Sequence, residues 1–85
     1  MKTLNTLLGQ VIIHDARIVL APGQRGRYTI LVDIELEGKT KELNVHSTDS
    51  ELYDKAHGES NHSEIVLKDA EYTIEKAVNH FINSL

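Results

Sequence analysis

Residues 28–36 place Tyr28, Ile30, Val32, Ile34 and Leu36 at every second position. A period of two puts all five on one face of a strand. Such a face must be covered, so the rest of the chain has to supply a second layer. Glu37-Gly38 marks a tight reversal, and residues 41–46 read as a partner strand with Leu43 and Val45 turned the same way. A two-residue loop pairs Val32 with Leu43 and Ile30 with Val45. A four-residue loop pairs Ile34 with Leu43 and Val32 with Val45. Both registers keep the same faces.

The covering layer is visible at the end of the chain. Ala70, Ile74, Ala77, Val78, Phe81, Ile82 and Leu85 form one stripe at helical spacing, opposite Glu71, Glu75, Asn79 and Asn83. Asp69 is the expected N-cap. A shorter helix is expected between Thr48, which opens a capping box with Glu51, and the stop at Gly58; its apolar face is Leu52, Tyr53 and Ala56. Residues 64–68 read either as a short fourth strand or as the first turn of the last helix.

Upstream, residues 11–20 are rich in β-branched side chains and form the first strand of the meander. Strict alternation puts Ile12, His14, Ala16, Ile18 and Leu20 on its core face, and Val11, Ile13 and Val19 on the other with Leu31 of the next strand. Pro22-Gly23 signals a type II turn. Leu4, Leu7 and Leu8 between Thr3 and Gly9 suggest one helical turn at the start. The expected architecture is therefore one α+β domain over residues 1–85: a three-stranded antiparallel meander, a possible short fourth strand, a short helix and a C-terminal amphipathic helix on one sheet face.

The chain has no cysteine, so neither a disulfide framework nor a thiolate metal site reinforces it. Residues 1–22 lack the pattern of a signal peptide, and no apolar stretch is long enough to span a bilayer; a cytoplasmic protein with no membrane contact is expected. The net charge is −4. It is uneven: residues 1–32 carry +3, residues 33–64 carry −6 and residues 65–85 carry −1. That balance argues against nucleic acid as a partner, since phosphate binding needs cations, and favours a basic protein.

Alternation sets Asp33, Glu35 and Glu37 on the outer face of the second strand, and Glu42 joins them from the third. Same-face neighbours lie roughly 6.6–6.8 Å apart, so these acids form a row. Asp49, Glu51 and Asp54 follow in the same acidic segment. The seven are the expected partner-binding set. A solvated face that discourages edge aggregation is the plainer account of the row. The loop Gly23-Gln24-Arg25-Gly26-Arg27 offers a second candidate, with Arg25 and Arg27 able to grip an anion. Such a site suits a small-molecule or nucleotide-binding oligomer; a structural or assembly component is the third reading. His57 and His62 have a spacing that zinc allows, but no complete ligand set accompanies them, so no metal and no cofactor is expected.

No nucleophile elbow, phosphate loop or dinucleotide fingerprint occurs. The leading expectation is a non-enzymatic protein-binding module: an acidic inhibitor of a basic nucleic-acid-handling or toxin partner, in the style of phage, plasmid or immunity proteins. A homo-oligomer is expected from the apolar outer-face residues Val11, Ile13, Val19 and Leu31.

Overall fold

The computed structural model describes residues 2–23 and 25–85. Four antiparallel strands follow one another across a single sheet: β1 (Lys2–Thr6), β2 (Gly9–Leu20), β3 (Tyr28–Leu36) and β4 (Lys39–Ser47). Helices α1 (Ser50–Ala56), α2 (His62–Asp69) and α3 (Glu71–Asn83) complete the α+β fold. No helix is long and apolar enough to cross a membrane, a statement confined to the described residues.

The β3–β4 hairpin takes the two-residue loop, with Val32 opposite Leu43 and Ile30 opposite Val45. Glu37 and Gly38 both hold positive φ, 52° and 78°. A reversal with two left-handed residues matches the twist of the strands it joins, and glycine accepts that conformation without strain. The inward residues Tyr28, Ile30, Val32 and Ile34 are buried, as alternation requires.

Three elements, besides the cap of α1, differ from the sequence reading. The first is the N-terminus, where residues 2–6 form a strand paired with β2, Leu4 lying opposite Val11, in place of a helical turn. Leu4, Leu7 and Leu8 fit a helical spacing, but pairing with β2 satisfies the backbone of a segment too short to hold a helix alone. The fourth strand of the sheet is thus β1. The second is residues 64–68, which lie inside a helix of their own, α2, broken from α3 only at Ala70. Asp69 accordingly ends α2 and does not cap α3. The cap of α1 also moves by one residue: Asp49 accepts a hydrogen bond from Leu52 N–H at 3.0 Å, and Thr48 plays no such part.

The third difference is inside β2. Ile13 pairs with Ile34, yet Asp15 pairs with Asp33, so His14 is an extra residue. Such a bulge switches the parity of the strand. Val11 and Ile13 face the core before it, Ala16 and Ile18 after it, and all four are buried. His14, expected on the core face, is exposed. Ile12 is on the outer side, partly buried. The apolar part of the outer face changes accordingly: Val11 and Ile13 leave it, Ile12 joins it, and Val19 and Leu31 remain.

The core gathers these strand residues with Leu52, Ala56, Val66, Ala70, Ile74, Val78 and Ile82 of the helical segment. The four at Ala70, Ile74, Val78 and Ile82 recur every fourth position, a stripe that lies against the sheet. Lys2 of β1 reaches Glu71 at 3.1 Å and Glu75 at 3.4 Å, while Phe81 lies beside Lys41 of β4. Helix α3 therefore crosses the sheet from β1 towards β4. The hydrogen bond from Lys2 to Glu71 raises the Lys2 pKa above its ordinary value. A raised cationic pKa stabilises the fold throughout neutral pH and ceases to do so only in strong alkali.

Candidate functional site

All three helices bury their apolar residues against one sheet face, and among the described residues no helix packs on the other. That face is left uncovered by the helices. Its side chains come from alternate positions of three strands: Ile12, Asp15, Arg17 and Val19 of β2, Leu31, Asp33 and Glu35 of β3, Thr40, Glu42, Asn44 and His46 of β4. His14 joins them through the bulge.

The bulge decides the electrostatics. By advancing β2 one residue, it sets Asp15 opposite Asp33, which is itself opposite Glu42. Three carboxylates therefore stand abreast across three strands, with Glu35 one step along on β3. Like charges directly opposite one another are destabilising. Two side chains relieve part of that cost. Arg17 lies 3.5 Å from Asp15 and 3.4 Å from Glu42, its guanidinium bridging the flanks of the row. The His14 ring N–H donates to Glu35 at 2.8 Å. Asp33, at the centre, has no ion-pair partner among the described residues.

A shallow groove of about 420 Å³ beside the row is lined by His14, Asp33, Ile34, Thr40, Lys41 and Glu42, so one lysine borders it. Three apolar side chains, Ile12, Val19 and Leu31, interrupt the polar surface.

The seven acids singled out in the sequence do not form one surface. Asp33, Glu35 and Glu42 share the uncovered face. Glu37 sits at the tip of the β3–β4 turn. Asp49 caps α1 and Glu51 lies in its first turn, while Asp54 is exposed further along the same helix. The last three belong to the helical layer. Asp15, Arg17 and His14 also belong to the site; plain alternation already turns Asp15 and Arg17 outward, and His14 is the one it misplaces. The signal for them is the apolar pattern Val11-x-Ile13-x-x-Ala16-x-Ile18, whose double gap marks the bulge; Ile12 obscures it.

Arg25 and Arg27 are exposed on the β2–β3 connection, and Arg27 donates to His46 Nε2 at 3.4 Å. Arg27 is thus tied to the margin of the acidic face. The histidines take structural places. His57 stacks on Tyr53, with ring centroids 5.0 Å apart, and Tyr53 stacks on Tyr28 at 4.8 Å. Both ring nitrogens of His62 are engaged by backbone: Ile18 N–H donates to Nε2 at 3.0 Å and Nδ1–H donates to Ala56 O at 2.9 Å. Among the described residues, no three His, Asp or Glu side chains converge in a way that could hold a metal ion.

No protein-family model, curated protein or solved structure matches the chain. The reading of its function rests on the face itself.

Proposed function

We propose that the chain is a non-enzymatic protein-binding module that presents its uncovered sheet face to a basic protein, as small acidic inhibitors of nucleic-acid-handling enzymes or toxins do. The observation that carries this reading is the row Asp15–Asp33–Glu42, three acids abreast on a rigid sheet with a single arginine between them. Keeping Asp33 between two carboxylates costs stability, and a cationic partner supplies the missing counter-charge. Because the row is held by backbone pairing, it loses little entropy on binding and can steer a cationic surface into place. The same row opposes self-packing through this face, since a second copy brings acids against acids. The partner is therefore a different protein.

Charge reversal tests this directly. Wild type and a Glu35→Lys, Glu42→Lys variant are immobilised and exposed to extract of the source cell, and bound proteins are identified. A basic protein retained by wild type should bind the variant at least ~tenfold more weakly, since close charge pairs at interfaces are worth roughly 1.5–7 kcal/mol. The Arg25→Ala, Arg27→Ala variant should retain it unchanged. Asp33→Asn adds a readout that mere surface charge does not give. It should raise the unfolding free energy by about 0.2–1 kcal/mol through relief of repulsion, while weakening the same interaction. Retention of the same partner by the double lysine variant, at both low and physiological salt, sinks the proposal.

A further inference from the structure

A second groove lies between the β3–β4 turn and the end of α3. Its walls are Ile34, Leu36, Phe81 and Leu85, and its mouth is set by Lys39 and Lys41, with Thr40 and Glu37 at the rim. The volume is about 260 Å³. Sites for drug-sized ligands span roughly 300–1,000 Å³, so this one suits a smaller molecule.

Lys39 and Lys41 are two apart on β4, opposite Leu36 and Ile34, on the side of the sheet that carries the helices. Their stems start roughly 6.6–6.8 Å apart. The Lys41 ammonium lies 5.8 Å from the centre of the Phe81 ring. Neither lysine is in an ion pair among the described residues, although the chain as a whole is acidic. The one side-chain carboxylate at the groove is that of Glu37, in the turn, against the two lysines. Apolar side chains also stay open to solvent here: Leu85 is 71% exposed. Two unpaired ammonium groups over an apolar floor complement one kind of ligand, an anion with a hydrocarbon tail.

We propose that this groove binds an amphipathic anion, a carboxylate head on a short hydrocarbon tail, with Lys39 and Lys41 at the head and Leu36, Phe81 and Leu85 along the tail. The groove shares Ile34, Thr40 and Lys41 with the one beside the acidic row, but the lysine variants below leave Asp15, Asp33 and Glu42 in place, so either reading can fail without the other.

The test uses three probes with one tail and different heads: octanoate, octanol and octylammonium, each titrated against the isotope-labelled chain by NMR. Octanoate should bind saturably at millimolar concentration or below, with shifts confined to the amides of residues 36–41 and 81–85. Octanol should bind several-fold more weakly and octylammonium at least ~tenfold more weakly, the factor given by about 1.4 kcal/mol of charge preference. In the Lys39→Glu, Lys41→Glu variant the order should invert. The Lys39→Gln, Lys41→Gln pair keeps most of each stem and its cover of the apolar floor; it should bind all three heads alike. Equal binding of the three probes by wild type, no saturable binding of octanoate, or shifts that map elsewhere each overturns the proposal. Retention of the octanoate preference in the glutamine pair does so too.

Discussion

His62→Ala is expected to lower the unfolding free energy by about 2–4 kcal/mol, because each buried backbone group left without its partner costs roughly 1–3 kcal/mol. The reason lies in the shape of the sheet. Among the described residues, strand β1 pairs with the first five residues of β2, from Gly9 to Ile13, and does not reach the remaining edge of β2. The start of α2 closes it: Ser63 Oγ accepts from Ala16 N–H at 3.3 Å and His62 Nε2 from Ile18 N–H at 3.0 Å. On its other side the imidazole donates to Ala56 O, so one ring ties β2 to the end of α1. Ala16 and Ala56 are fully buried and Ile18 nearly so, so water does not readily replace these bonds. For a chain of this size the loss corresponds to a Tm lower by roughly 10–25 °C. Hydrogen exchange should show Ile18 losing protection. His57→Ala removes an exposed ring that only stacks on Tyr53 and should cost under about 1 kcal/mol. Equal effects of the two substitutions, or an H62A melting point within a few degrees of wild type, contradict this account.

The largest expected contrast is between two single-residue deletions. Removing Asp33 from β3 should abolish folding. This strand pairs on both sides, so a deletion there turns Tyr28, Ile30 and Val32 outward or breaks the ladder with both neighbours. Exposing three such side chains costs roughly 5–9 kcal/mol, against a total stability of roughly 4–13 kcal/mol for a chain this long. Removing His14 should be tolerated, with a stability change within about 1 kcal/mol. His14 is the extra residue of the bulge, and without it Ile13 and Asp15 become consecutive partners of Ile34 and Asp33. The buried set Val11, Ile13, Ala16 and Ile18 then falls into plain alternation. The exposed contact with Glu35 is lost, and such pairs contribute little. Circular dichroism and a thermal melt of both deletions decide the matter. A His14 deletion that fails to fold shows that the twist at the bulge is needed for closure of the helical layer.

These two expectations also separate what is legible in the residues from what is not. Period-two alternation over residues 28–36 needs no context, because a strand with five apolar side chains on one side has one way to satisfy them. The same holds for the i, i+4 stripe of α3, and for the Glu37-Gly38 reversal, where glycine relieves the cost of a left-handed residue. Alternation alone therefore suffices to put Asp33, Glu35 and Glu42 on one face.

The remainder depends on neighbours that are distant in sequence. Residues 3–9 fit a helical turn as well as a strand, and pairing with β2 decides between them. The parity of β2 is hidden by the unbroken apolar run Val11 to Ile13, and only the ladder with β3 reveals the extra residue that follows it. That single bulge brings Asp15 beside Asp33, turns His14 to solvent and buries Val11 and Ile13. His62 resembles half of a metal site because its spacing from His57 is local, whereas its bonds run to Ile18, 44 residues away, and Ala56. Local pattern determines which face a strand or helix must bury; which backbone edges remain open, and which side chains close them, is decided only when the strands have met.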